Sequence, residues 1–265
     1  MTTRRTRVPP NAPRRSLADE ANLLLRALPT RSYRRLLPHL TAIELEVNAV
    51  LWQPDDRLDW VYFPRTCVTS LLVVLESAPP VEAATVGREG MMGMSAVLGA
   101  EHASGRAIAQ VRGTVARLSA NVLRKLLVAD SGLRRAFLLY AEMLQRQIAQ
   151  SVACNARHTI EQRCARWLLA THDRVGRDDF DLLQSFLAAM LGVHRPRVTI
   201  AASRLQRDGL IRYSRGHLEI VDRRGLERAS CECYAAVKAT IDEAFADRDG
   251  RERRGRRPPG RGSRQ

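Results

Sequence analysis

The chain has 265 residues, 45% of them hydrophobic, which is enough apolar material for two domains with cores of their own. With 43 basic residues against 28 acidic ones its net charge is +15, which favours polyanionic partners over an acidic protein. Apolar runs such as that within Ser70 to Leu75 are strand-sized and far short of the ~18 residues of a membrane span, so no membrane is expected as a partner.

Both ends are strongly basic. The first 15 residues carry five arginines and no acid, and no apolar stretch follows them as in a secretory signal, so a cytoplasmic location is expected. Residues 247–265 hold eight arginines against Asp247, Asp249 and Glu252. Rich in Arg, Pro and Gly and poor in apolar residues, the stretches 1–19 and 247–265 are expected to be disordered basic tails. Five cysteines at irregular spacings do not describe a disulfide framework, so reduced thiols are expected.

Between the tails, Asn22 to Leu28 and Arg31 to Leu40 have apolar residues three and four apart and are predicted as short helices. From Ile43 the period becomes two, with Ile43, Leu45 and Val47 alternating with polar residues. Further strands are predicted at Val50 to Trp52, Trp60 to Phe63, Val68 to Leu75, Val81 to Val86 and Ile108 to Leu118, which together suggest a β-roll or barrel. The pattern turns helical at Ser119 and, after Ser131-Gly132, stays so for about 25 residues. There Leu133, Phe137, Tyr140 and Leu144 follow the four-three spacing of a two-stranded coiled-coil seam. Such a helix serves either a partner subunit or its own domain; the periodicity alone does not choose. Thr159 with Gln162 three residues on is a capping box opening a helix to about Thr171, with Ile160, Cys164, Trp167 and Leu168 on its apolar face.

The segment Asp181 to Ile211 is the most informative. One short helix is predicted to end at Gly192, a residue suited to a left-handed C-cap, and a second to begin near Arg195 with Pro196 in its first turn. From His194 to Arg207 there are four arginines and no acid, with Val198, Ala202 and Leu205 as the buried face. Strand-like Leu210 to Tyr213 and His217 to Val221, joined through Ser214-Arg215-Gly216, complete a wing. A winged helix-turn-helix places its second helix in the major groove of double-stranded DNA, its N-terminal side chains at base edges. The expected DNA contacts are Gln184, His194, Arg195, Arg197, Thr199 and Arg204, with Arg215 on the wing.

A β-rich N-terminal part, a long helix and this winged unit resemble the Crp/Fnr family of bacterial transcription regulators over about residues 20 to 222. The match is best from Gln184 to Val198 and over Asp208-Gly209-Leu210-Ile211 to Ile220-Val221-Asp222. The resemblance implies an α+β fold: a jelly-roll-like β-roll sensor domain (20–130), a dimerisation helix (131–157), a winged helix-turn-helix (158–222) and a C-terminal helix (223–246). It also implies a homodimer on a palindromic site, RNA polymerase as a partner, and a small effector of unknown identity. Arg195 falls at the family's guanine-reading arginine, whereas Pro196 and Ile200 replace a glutamate and a second arginine that often read bases.

Val86 to Ser95 resembles the family's phosphate-binding cassette, so Gly93, Met94, Ser95 and Arg106 are the candidate ligand residues. Where nucleotide binders have Gly-Glu this chain has Gly93-Met94, and a methionine cannot accept a ribose hydroxyl, so Gly87, Gly90 and Gly93 are read as turn residues in preference to a cyclic-nucleotide site. Cys154 and His158 stand four apart and Cys231-Glu232-Cys233 follows the wing, but this spacing is not that of a zinc finger; no metal and no cofactor is expected. The six histidines are scattered and no catalytic motif accompanies them, so no enzyme is expected. The competing reading is a cyclic-nucleotide-binding or redox-sensing module acting through a protein partner rather than DNA.

Overall fold

The computed structural model describes residues 17–254. Two short helices, α1 (Leu23–Arg26) and α2 (Thr30–Leu36), lead into seven strands: β1 (Thr41–Leu45), β2 (Val50–Trp52), β3 (Trp60–Pro64), β4 (Val68–Val73), β5 (Val81–Val86), β6 (Arg106–Val111) and β7 (Gly113–Ser119). The short α3 (Met94–Val97) lies between β5 and β6. Beyond them come α4 (Ala120–Ala129), α5 (Ser131–Arg157), α6 (Ile160–Val175), β8 (Asp179–Asp181), α7 (Gln184–Leu191), α8 (Arg195–Arg207), β9 (Ile211–Ser214), β10 (His217–Ile220), α9 (Arg223–Ala229) and α10 (Cys233–Arg254).

The first seven strands form two antiparallel sheets, ordered β1-β7-β3 and β2-β6-β4-β5. Fully buried Val61, Phe63, Val115 and Leu118 join Leu25, Leu36 and the buried face of α5 in one core. This is the expected roll, with two changes of detail. Ile108 to Leu118 is two strands in different sheets rather than one, because the chain passes from sheet to sheet at Gly113. A side chain at Gly113 would lie 2.6 Å from the Cys67 amide nitrogen, so only glycine lets the crossing chain press on that loop. The first strand ends at Leu45 rather than Val47, and Asn48 turns with a φ of 64°.

The N-terminal segment is fastened to the roll by charge. Glu20 accepts both arms of the Arg65 guanidinium at 2.8 and 2.7 Å, the Asn22 amide at 3.1 Å and the Tyr33 hydroxyl at 3.2 Å. Burial alone would push the Glu20 carboxyl up, but Arg65 with the Asn22 and Tyr33 donors outweighs it and holds the carboxyl below its ordinary range.

The long helix α5 spans 27 residues, with Asp130 as N-cap. Its coiled-coil seam is not a subunit seam. Leu133, Phe137 and Tyr140 are buried in the chain's own core, Phe137 edge-on to Phe63 with ring centroids 6.1 Å apart. The exposed apolar residues of the helix are instead Leu138, Leu139 and Val152.

In the C-terminal half the capping box at Thr159 forms as expected, and α6 runs on to Val175, ended by Gly176 in the left-handed conformation. A second core gathers Cys164, Trp167, Leu168, Leu187, Val198, Leu205, Leu218 and Leu226, and Leu72 and Ile108 of the roll join it. The wing is a three-stranded sheet, β8-β10-β9. Its first strand was not expected, since Asp-Phe-Asp carries a single inward side chain and depends on β10 for pairing. The single helix expected after the wing is two. Ser230 adopts an extended conformation that ends α9, and α10 begins at Cys233. The backbone of α10 continues to Arg254, into the stretch expected as a tail, and Leu17–Asp19 form a short 3-10 turn. The remainder of both expected tails lies outside the described residues. No helix among the described residues is long and apolar enough to cross a membrane.

Replacing Arg65 by Met would leave Glu20 buried without its cation, so stability at neutral pH is expected to fall by about 3–5 kcal/mol. Because the native carboxyl titrates below its unfolded value, its contribution is present above that value and lost as pH falls through the native one. The gap between Arg65→Met and the parent chain should therefore narrow in acid. Urea unfolding at neutral and acidic pH measures it, and an equal gap at both would contradict the charge pairing.

Candidate nucleic-acid interface

Helices α7 and α8 are joined by Gly192-Val193-His194. Gly192, with φ of 62°, ends α7, and its amide donates to the carbonyls of Ala188 and Ala189. Leu191, in the last turn of α7, gives its carbonyl to the buried guanidinium of Arg163 on α6. His194 is the N-cap residue of α8, though its side chain makes no capping bond, and Pro196 occupies the first turn. The amide of Tyr213 in the wing donates to Gln206 Oε1 at 2.7 Å, and the Tyr213 hydroxyl donates to the Leu182 carbonyl at 2.6 Å, fixing wing, α7 and α8 together. The tip, Arg215-Gly216, has φ values of 50° and 84°, the backbone of a two-residue type I′ hairpin.

Val198, Ala201, Ala202 and Leu205 are buried, and the rest of α8 faces outward. His194, Arg195, Arg197, Thr199, Arg204 and Arg215 are all exposed, and Gln184 is half-buried at the start of α7. They are not equally free. The Thr199 hydroxyl donates to Gln184 Oε1 at 2.9 Å and also lies 3.2 Å from the Arg195 carbonyl, so these two polar residues brace α7 against α8. Arg204 is paired with Glu161 of α6 at 2.6 Å. On a helical wheel the direction opposite the buried stripe is held by Pro196, Ile200, Ser203 and Arg207, all exposed. Ile200 is 54% exposed, an apolar side chain at the middle of the outward face. The family resemblance registers it only as the replacement of an arginine. Its signal is the wheel, which sets it opposite Val198 and Leu205.

The cassette-like turn has a different character. A side chain at Gly87 would strike the Arg174 side chain of α6, and one at Gly90 would lie 2.2 Å from the Tyr140 hydroxyl of α5. Gly93 has a φ of 94° as N-cap of α3, and Met94 is buried in the roll's core. Ser95 is half-buried beside it, while Arg106 opens β6 opposite Leu72 of the neighbouring strand β4, its Nε buried without a partner. Two of the three glycines thus serve packing against α5 and α6.

Residues 162–229 match the Crp-like helix-turn-helix domain. The chain carries a Crp-type DNA-binding domain. The match runs beyond the wing through α9, whose Leu226 belongs to the same core. Solved structures similar over both halves include FixK2 from Bradyrhizobium japonicum (17% identity, 72% of this chain and 98% of that one, TM-score 0.63). Others are a Crp/Fnr-family regulator described as putative from Eubacterium rectale (14%, 78% and 96%, 0.62) and the c-di-GMP-responsive regulator of Xanthomonas campestris (14%, 72% and 99%, 0.60). No curated protein sequence matches the chain. The Crp/Fnr resemblance therefore holds for the fold and for the DNA-binding domain, and both support a DNA-binding transcription regulator. The reading as a module acting without DNA is not favoured.

Glu161→Gln should free Arg204 for phosphate. Exposed pairs are worth at most ~1 kcal/mol, so stability should hardly change. The plot of log affinity against log salt should steepen by about 0.9 if the released arginine reaches the backbone. Fluorescence anisotropy with a fixed duplex over a salt series measures it; an unchanged slope would leave Arg204 a purely structural partner of Glu161.

Proposed function

We propose that the chain acts in the cytoplasm as a homodimer on a two-fold symmetric DNA site, with half-sites about one helical turn, roughly 34 Å, apart. The observation that carries this reading is the outward face of α8, acid-free and centred on Ile200 between Arg195 and Arg207. In the major groove Arg195 reaches a guanine through a bidentate pair, and Ile200 lies against a thymine methyl. Arg197, His194 and Arg215 serve phosphates, and Gln184 with Thr199 holds the helix pair in register. RNA polymerase is the downstream partner, and the roll transmits the effector's signal. Nothing in the cassette-like turn supports a cyclic nucleotide there: Met94 is buried, and Gly87 and Gly90 are accounted for by packing.

The exposed side of α5 supports a dimer face there. Leu138, Gln145, Ala149 and Val152 recur at spacings of seven, four and three on one solvent-facing stripe. This stripe, rather than the buried Leu133, Phe137 and Tyr140, meets the second copy. Signals in the roll reorient the winged domains by shifting the population of two arrangements.

Selection from random DNA should return a palindrome. Arg195→Ala should lose discrimination at one base pair of each half-site, and Ile200→Ser at another, at about 1–3 kcal/mol per contact for the arginine and less for the methyl contact. Recovery of the parent profile by both variants would remove α8 as the reading helix. Leu138→Glu combined with Val152→Glu should convert a dimer to monomers in sedimentation while leaving the fold unchanged by circular dichroism. A persistent dimer would place the interface elsewhere.

A further inference from the structure

Three of the chain's five cysteines, far apart in sequence, meet at one point. Cys154 lies in the last turn of α5, His158 caps that helix, and Cys231 and Cys233 flank the break between α9 and α10. The three sulfurs and a ring nitrogen of His158 all lie within 4.8 Å of one another. Cys154 Sγ is 3.6 Å from Cys231 Sγ, and Cys233 Sγ is 3.6 Å from His158 Nδ1. Tetrahedral zinc, with bonds of about 2.3 Å to sulfur and 2.0–2.1 Å to nitrogen, requires edges of about 3.8 Å between sulfurs and about 3.5 Å from sulfur to nitrogen. The Cys154–Cys231 and Cys233–His158 edges fall close to those lengths, and the remaining edges lie within 4.8 Å.

The surroundings fit the same chemistry. His158 turns Nδ1 to the sulfurs and places Nε2 3.1 Å from the Glu232 carboxylate, the outer partner that fixes a metal-bound imidazole. Gln150 donates its side-chain amide to Cys233 Sγ at 3.0 Å, a bond that suits a thiolate. Three thiolates outweigh a divalent ion by one charge, and Arg166 and Arg163 of α6 lie close enough for their charge to act on Cys154, with Arg163 also acting on Cys231. The Nε atoms of both arginines are buried without a hydrogen-bond partner. Nor does apolar packing explain the thiols: the three cysteines form a buried cluster of their own, apart from both main cores.

We propose that Cys154, His158, Cys231 and Cys233 bind one zinc ion in a closed Cys3His tetrahedron, which ties the α5–α6 elbow to the α9–α10 break. On binding, each thiol gives its proton to solvent, and the ion takes three sulfur lone pairs and that of Nδ1. No position stays open for substrate, so the ion is structural. The expectation of no metal, drawn from the Cys-x-Cys spacing, is thereby revised. The spacing rule misses ligands that a helix turn and a distant loop bring together.

The test uses the full chain purified under nitrogen with reductant. Elemental analysis should find about one zinc per chain. Cobalt(II) added to the chelator-stripped protein should give thiolate-to-cobalt charge transfer in the near ultraviolet and the strong visible bands of a tetrahedral site. Cys231→Ser and Cys233→Ser should each lose the zinc and weaken the charge transfer, and His158→Gln should shift the visible bands. Cys67→Ser, whose thiol is buried in the roll, should retain both signals. If the serine variants fail to fold, the cobalt titration of the parent chain still decides. A parent chain that binds no cobalt through sulfur, holds an iron–sulfur chromophore instead, or shows Cys154 disulfide-bonded to Cys231 with no metal uptake would overturn the assignment.

Discussion

The arrangement of the two halves depends on a guanidinium from the DNA-binding half buried in the roll. Arg174, near the end of α6, enters beneath the turn after β5, where it donates to Glu89 Oε1 at 2.8 Å, to the Thr85 carbonyl at 3.2 Å and to Ala170 of its own helix at 2.7 Å. Both partners of the ion pair are almost fully buried. Taking two charges from water costs several kcal/mol per ion, which a single ion pair does not reliably return. The geometry compensates: Glu89 also accepts the Gly87 amide, and Gly87 has no side chain where the stem of Arg174 passes. A buried pair of this kind contributes little net stability and much specificity, since only one docking of the two halves satisfies it.

The same short turn meets the long helix. Gly90 leaves room for Tyr140 of α5, whose hydroxyl donates to the Met91 carbonyl at 3.0 Å. Residues 87–91 therefore touch both the helix that presents the exposed stripe and the first helix of the DNA-binding half. A change in the roll that moves this turn moves α5 and α6 together, because a Cβ-free contact has no slack to absorb displacement. Neighbouring bonds reinforce the docking: the Trp167 indole donates to Glu82 at 3.1 Å, and the Gln110 amide to Thr171 at 3.2 Å. Desolvation pushes the Glu82 carboxyl up even with the Ser70, Thr85 and Trp167 donors upon it, so this interface is a costly place for charge.

Much of this architecture is legible in the sequence where local chemistry decides it. The capping box at Thr159, the left-handed Gly192, Pro196 in the first turn of α8 and the Arg215-Gly216 hairpin are set by neighbouring residues and need no tertiary information. What the sequence hides is tertiary. Leu133, Phe137 and Tyr140 have the spacing of a subunit seam, yet periodicity reports that a stripe is buried and not what buries it. The crossing at Gly113 looks like one long strand because both sides are apolar, and β8 is too short to register. In the same way the glycines at 87 and 90 look like an anion cradle until the side chains of Arg174 and Tyr140 fill the space beside them.

The first helix of the DNA-binding half is consequently held at both ends by unlike forces. At its C-terminal end Arg174 commits it to the roll through a buried charge. At its N-terminal end the chain bends between His158, still hydrogen-bonded through its amide to Cys154, and Thr159, which caps the next helix. The elbow alone is one residue boundary, and helix termini are where φ and ψ most readily absorb a rotation. The cluster of Cys154, His158, Cys231 and Cys233 sits at this point and reaches across to the segment that begins α10, which itself packs along α5. Rotation at the elbow would separate His158 and Cys154 from the two cysteines beyond the wing. A tetrahedral ion resists that separation in every direction, whereas a thiol contact resists it weakly. Whatever moves the winged domain must then carry α9 and the start of α10 with it as one body and do its work at the roll end of α6, where Arg174 and Glu89 meet.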